Sequence, residues 1–368
     1  MRTWRYCLAA LAALLALGVS TSTTPAGELL AADAHPNPPF TLASVDACFL
    51  AAPTPFGSVW PLAPIGRSHP IRGSLNEPRG ASPHFGVDVE ALINRAPVYA
   101  ISSGVVSGLK RKASHFSIKV VGQSHFFQYW HVIPLTTMHL YMAIEAGQLI
   151  GHVQNAYYHV HVSEFSRPCG WINPMRPGGA LHVGANTEKP HIGNLRAFAA
   201  DSKAFRPFNS TKGPACEVDP STPLELTDLH GVVDLRAAVW DWPVKQMVTR
   251  AQMSLEPAAI QAYLAPRFNP YEHVSKIKRV YDGASLLVPA HLGTTIWHIW
   301  AFGTWRDCEC YYQGRARGHC GADYVWHVGG TLGLHTALYR NGPYQYCVDA
   351  LTINGRAKAR CTPVIIKN

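Results

Sequence analysis

Five side chains in the first half of the chain have the types and spacing of a hydrolytic metal site. They are His84 and Asp88 in His84-Phe85-Gly86-Val87-Asp88, His131 in Tyr129-Trp130-His131, and His159 and His161 in His159-Val160-His161. Imidazole nitrogens and a carboxylate are donors that zinc accepts. Three of them around one ion leave a coordination position open and two imidazoles beside it, as metal-assisted hydrolysis requires. On a strand, side chains at i and i+2 point the same way, so His159 and His161 face one side while Val160 packs behind them. A His-x-His pair alone arises easily by chance among 19 histidines. The weight comes from order and context: a His-x-x-x-Asp first, an aromatic-flanked His between, the His-x-His last. Tyr129, two residues before His131, is expected on the same strand face as a further hydrogen-bond donor or as a wall or core residue.

The elements that must position these groups read as β. Residues 98–106, 117–121, 126–132 and 158–162 are short segments rich in β-branched and aromatic residues, separated by Ser, Gly, Asn and Lys turns. No long amphipathic helix interrupts them, which disfavours a parallel α/β fold. The Pro- and Gly-rich stretch from Ala34 to Arg79 is expected to wrap the domain as an extended lead-in, and residues 184–213 carry few sustained apolar patterns. The second half opens with a strand at 231–241 and closes with strands at 344–351 and 357–366 around the Asn354-Gly355 hairpin signal, the frame of a β-sandwich. Glu256–Leu264 has helical composition and is expected as a helical insertion.

With these blocks in place the chain resembles the lysostaphin/LytM-type zinc endopeptidases, secreted bacterial enzymes that cut the peptide part of peptidoglycan. His84-Phe85-Gly86-Val87-Asp88, followed by Pro97-Val98-Tyr99-Ala100 and Ser103-Gly104-Val105-Val106, looks like that family's opening block. Tyr129-Trp130-His131-Val132 looks like its central histidine strand, Gly147-Gln148-Leu149-Ile150-Gly151 like the turn and strand that follow, and His159-Val160-His161-Val162 like its closing strand. Asn173-Pro174 falls where the family has its terminal Asn-Pro. The resemblance covers roughly residues 56–180. It implies one Zn2+ held by His84, Asp88 and His161, with His131 and His159 as the catalytic pair. The chain departs from the family at Asn155-Ala156-Tyr157-Tyr158, where many relatives carry small residues, so a bulkier groove mouth and a different substrate are expected. His115, His125, His139 and His152 read as ordinary.

The expected fold class is therefore mainly β: a LytM-like antiparallel β-sheet peptidase domain of the duplicated hybrid motif kind, followed by an immunoglobulin-like β-sandwich. A length of 368 residues suits two domains. The expected boundaries are a leader at 1–34, a peptidase domain at 35–180, a linker at 181–223 and an accessory domain at 224–368. Arg2 and Arg5, the apolar run 7–19 and the small residues after it read as a secretory signal cleaved between 22 and 34, shorter than a membrane span. No stable membrane anchor is expected after cleavage, and the residues before Cys7 do not form a lipobox. Eight cysteines follow the leader, an even number in a chain bound for an oxidising compartment. Cys347 and Cys361 are the expected disulfide, one residue out of hairpin register and so needing a bulge. Cys308, Cys310, Cys320 and His319 lack the paired knuckles of a structural zinc site. The net charge of +9 favours anionic wall polymers as partners. It does not favour nucleic acid, because 110–112 and 276–279 are short basic tracts without a DNA-binding motif. The expected substrate is peptidoglycan peptide, and the location secreted, periplasmic or wall-associated. The alternative is a non-catalytic LytM-like wall-binding protein or an activator of other wall hydrolases. Zinc D,D-carboxypeptidases typically space the first His and Asp more widely.

Overall fold

The computed structural model describes residues 59–79, 82–110, 115–119, 125–155, 157–167, 169–181, 189–201, 221–241, 257–268, 275, 278–282, 305–306, 322–329 and 332–368. The expected leader, Cys48, Cys216, Cys308, Cys310, His319 and Cys320 lie outside them, as do Arg111, Lys112, Lys276 and Ile277. Apart from one short 3-10 turn at Thr336–Leu338, the regular structure among these residues is antiparallel β. None of their helices is long and apolar enough to cross a membrane.

The first half builds an eight-stranded sheet. Its main path runs Ile71–Gly73, Val87–Glu90, His159–Ser166, His125–Trp130, His115–Lys119, Gly104–Lys110 and Ala143–Ile144, and Gly170–Ile172 pairs with the far end of His159–Ser166. A smaller sheet of Pro97–Tyr99, Leu149–Val153 and Val132–Pro134 accompanies it. Alternation decides what each strand buries. In His125–Trp130 the odd residues are buried and Phe126, Gln128 and Trp130 are half-exposed, so Phe127 and Tyr129 enter the core. Val87, Val89, Val98, Val106, Ile150, Val160 and Val162 join them with no exposed surface. Each fully buried side chain of this size contributes about 1.5–3 kcal/mol of transfer free energy. The described part of the lead-in, 59–79, alternates turns at 63–67 and 75–76 with the short strand Ile71–Gly73; Leu62 bridges to Val98, and Trp60, Leu62, Ile71 and Leu75 are buried.

In the second half, a sheet of Pro223–Leu224, His191–Ala199, Val232–Trp240 and Val325–His327, with Leu334–His335 at its side, shares an apolar cluster with a four-stranded sheet. That sheet is made of Lys278–Asp282, Ala259–Pro266, Gly342–Leu351 and Ala357–Ile366. Three expectations are corrected here. The helix expected at 256–264 is a strand, Ala259–Pro266, paired along its whole length with Gly342–Leu351. Its Ile260, Ala262 and Leu264 enter the cluster between the two sheets while Tyr263 and Ala265 are buried in another, so strand pairing with both faces covered overrides helical composition. Residues 191–199, expected within the linker, form a nine-residue strand against Val232–Trp240. Cys347 and Cys361 are disulfide-bonded as expected, but directly opposite each other and without a bulge. The loop that joins their strands is Thr352–Arg356, an odd number of residues centred on Asn354, which restores the register. Thr352 accepts from the Gly355 and Arg356 amides, and Gly355 takes the positive φ of 77°.

The two halves are not separate in their packing. Ala258, Ala259, Leu351 and Ile353 belong to the same buried cluster as the first sheet, and the described residues all fall in one compact unit, His35–Asn368.

Candidate metal centre

Register places the donors. Across the antiparallel pair Val87–Glu90 and His159–Ser166, Asp88 stands directly opposite His161, where facing Cβ atoms lie about 4.5–5.5 Å apart. His84 precedes the first of these strands. Its N–H donates to the Glu77 carbonyl (2.8 Å) and its carbonyl accepts from Asn76 N–H (2.7 Å). Phe85 holds the segment down by packing on the rings of His161 (4.7 Å), Trp130 (5.6 Å) and Trp171 (5.9 Å). Gly86 passes so close to the His159–Ser166 strand that an added Cβ would lie 2.5 Å from the Val162 carbonyl oxygen.

The result is a buried triad. His84 Nε2 is 3.2 Å from Asp88 Oδ1 and 2.8 Å from His161 Nδ1, and His161 Nδ1 is 3.0 Å from Asp88 Oδ1. One donor atom from each residue lies within 4.8 Å of the others. The outer ring nitrogens each have a partner, and for His84 that partner fixes the tautomer. His84 Nδ1 faces the Ser74 carbonyl at 2.7 Å, and a carbonyl can only accept, so Nδ1 carries the proton and the inner Nε2 presents a lone pair. His161 Nε2 lies 2.8 Å from Ser163 Oγ, which can accept its proton and leave Nδ1 bare on the inner side. Two imidazole lone pairs and a carboxylate oxygen thus converge where like partial charges repel unless a cation sits among them. The donor set, two nitrogens and one oxygen with a fourth direction open, suits Zn2+.

The other two histidines lie beside this triad. His159 Nδ1 donates to the Tyr157 carbonyl (2.7 Å), turning Nε2 inward to 3.7 Å from Asp88 Oδ1. The His131 ring stands edge-on to His159, with centroids 4.9 Å apart, and lies flat on the Tyr157 ring at 4.0 Å. Burial above all, then the neighbouring His159, hold the His131 imidazole down at about 3 against the pull of Asp88. All five residues singled out in the sequence are therefore brought together.

Tyr129 is not. It is fully buried, and its hydroxyl accepts the Ile101 N–H at 2.9 Å on the core side of the sheet. The face-sharing rule fails because His131 adopts φ 60°, which ends the His125–Trp130 strand and starts Val132–Pro134 in the smaller sheet. His125, read as ordinary, is buried with Nε2 2.9 Å from Glu164 Oε1, which Arg176 also engages at 2.9 Å. Ser163, Ser74 and Tyr157 were not singled out as supports of the site. Ser163 was within reach, since it lies two residues beyond His161 on the same strand face. Nothing local marks Ser74.

No family model matches this chain, and no curated protein matches it. Among solved structures, it is similar over 32% of its length to 89% of a chain in the SpoIIQ–SpoIIIAH pore-forming complex, at 14% identity and TM-score 0.27. It is similar over 31% of its length to 98% of the catalytic domain of EnpA, a prophage-encoded M23 protein from Enterococcus faecalis, at 22% identity and TM-score 0.26. It is similar over 28% of its length to 86% of the catalytic domain of the antimicrobial peptidase lysostaphin from Staphylococcus simulans, at 25% identity and TM-score 0.24.

Proposed function

We propose that the chain is a secreted zinc metalloendopeptidase that hydrolyses peptide bonds of bacterial peptidoglycan. The observation that carries this reading is the convergence of three inward-facing donor atoms, from His84, Asp88 and His161, beside two further imidazoles. The chemistry that Zn2+ would supply there is an acidified water and polarisation of the scissile carbonyl. His84 and His161 would hold it through Nε2 and Nδ1, each with an outer hydrogen bond, and Asp88 through Oδ1. His159 Nε2 is aimed inward and serves to hold the attacking water and take its proton. His159 then returns that proton to the leaving amine, while His131, edge-on to His159, serves to position the water or the oxyanion. The C-terminal part, an accessory β-sandwich, places the peptidase on its anionic substrate, in keeping with the chain's positive charge.

The test measures bound zinc and muropeptide release from purified peptidoglycan for the mature protein, His84→Ala and His131→Asn. Asparagine tolerates the positive φ at 131. His84→Ala loses metal and activity; His131→Asn keeps metal and loses turnover. A zinc-free wild type, or a zinc-bound wild type that releases nothing, would leave the wall-binding or activator reading in its place.

A further inference from the structure

The outward face of the large sheet carries aromatic rings beside the candidate metal centre. Phe127, Tyr129, Val160 and Val162 fill the core from one side of their strands, so the alternate residues share the other side with His159 and His161. An antiparallel sheet packed on one side ordinarily turns polar residues to water on the other. Here that side bears Phe126, Trp130, Phe165 and Trp171, with Phe85 packed against them, and all five are half-buried.

Register sets three of these rings side by side on neighbouring strands: Phe126 stands opposite Phe165, and Phe165 opposite Trp171. Phe126 and Phe165 stack at 4.7 Å, and Trp171 meets them edge-on at 5.7 and 5.1 Å. Trp171 continues to Phe85 at 5.9 Å, and Phe85 to the His161 ring at 4.7 Å. Cross-strand stability accounts for a single aromatic pair. An unbroken run of half-open rings that ends on a candidate metal ligand is an apolar surface continuous with the chemistry. Gln128, between Phe126 and Trp130 on its strand and opposite Ser163, adds a side-chain amide to the same face.

We infer that this aromatic floor is a carbohydrate subsite, receiving the pyranose rings of the glycan that carries the cleaved peptide. The inference rests on the peptidoglycan reading above. A pyranose has C–H groups on its faces and hydroxyls around its rim, so it can lie on flat rings with its rim left to water and to amides. The peptides of peptidoglycan are built of small, acidic and diamino residues, which are too short or too charged to cover such a surface. The reach also fits. Phe165 lies four residues beyond His161 on one strand, about 13 Å away, the span of about four extended peptide residues. A peptide held at the centre by its scissile bond can therefore lay the sugar at its end on Phe126, Phe165 and Trp171.

The experiment uses the full chain, with and without zinc, and the N-acetylglucosamine trimer as probe. Calorimetric titration should show binding in both states, and saturation-transfer NMR of wild type should pass magnetisation to the ring C–H protons of the trimer, a readout that needs no variant. Phe126→Thr and, separately, Phe165→Thr should weaken binding roughly tenfold, the scale of one lost ring contact, with melting temperature checked alongside; Phe126→Tyr, which keeps the ring, should bind like wild type. With zinc, kcat/KM for sugar-linked muropeptides should exceed that for the same peptides freed of sugar by roughly tenfold, and the ratio should fall toward one in the threonine variants. A wild type that does not bind the trimer, binding that survives in both threonine variants, or faster cleavage of the sugar-free peptides overturns this inference and leaves the peptidase standing. Trimer binding that the threonine variants lose, in a chain that cleaves neither substrate, would keep the subsite and strike the peptidase reading.

Discussion

Replacing Gly86 with alanine probes the centre without touching a donor atom. A Cβ at this position would sit 2.5 Å from the Val162 carbonyl oxygen, 2.6 Å from His161 Nε2 and 2.8 Å from Ser163 Oγ. The first neighbour is backbone of a strand paired on both sides and cannot retreat; the other two form the hydrogen bond that orients the His161 ring. Relief must therefore come from lifting the His84–Asp88 segment or from swinging the His161 ring away from Ser163. The overpacking costs about 1–3 kcal/mol of stability. Disturbing a support of this type lowers metal affinity about 10–100-fold. The two effects separate when thermal unfolding is followed with and without zinc. Ligand at about 100 times its Kd stabilises the native state by about 2.7 kcal/mol, and that increment shrinks as Kd rises. Gly66→Ala is the control, since a Cβ there meets nothing within 4 Å. If Gly86→Ala melts like wild type and binds zinc with unaltered affinity in a chelator competition, the packing of the His84–Asp88 segment against the His159–Ser166 strand is not as described.

Ser163→Ala should weaken zinc binding about 10–100-fold in the same competition, because His161 Nε2 loses the hydroxyl that keeps its proton outward. Tyr129→Phe should leave zinc binding unchanged and cost about 1–3 kcal/mol in urea unfolding, since the buried Ile101 N–H loses its acceptor. Burial pushes the Glu164 carboxyl up, but His125 and Arg176 against it outweigh that and hold it below the ordinary carboxylate range. Its folded value thus lies under the unfolded one of about 4.3, so its contribution is present above that pH and is lost as pH falls through the folded value. Glu164→Gln, which strands Arg176 with a buried charge, should cost about 3–5 kcal/mol at neutral pH and flatten the acid limb of the stability profile.

The candidate site was largely legible because it depends on features a sequence displays: donor types, their order, and the period of two that puts His159 and His161 on one face. What was not legible depends on departures from that period or on distant pairing. Counting residues puts Tyr129 on the His131 face, and a single left-handed residue undoes that count, while the reading of Tyr129 as a core residue holds. Ala259–Pro266 carries residues at ease in a helix, and only its place between two strands makes it a third. The disulfide hairpin was identified by its cysteines, but its register turned on a five-residue loop where Asn-Gly pointed to a two-residue turn. Ser74 supports His84 through a backbone carbonyl, which any residue type would supply, so no side chain announces it.

The φ of 60° at His131 falls where the chain crosses from the large sheet to the small one. Were the backbone alone to choose, it would put glycine at this joint. The position is instead given to a bulky ring, so in the proposed mechanism one residue would serve as both bend and positioner of the water or oxyanion. Anyone transplanting this cleft onto an idealised scaffold would have to reproduce the bend before the imidazole, since a straight strand would deliver the same ring to the wrong side of the sheet.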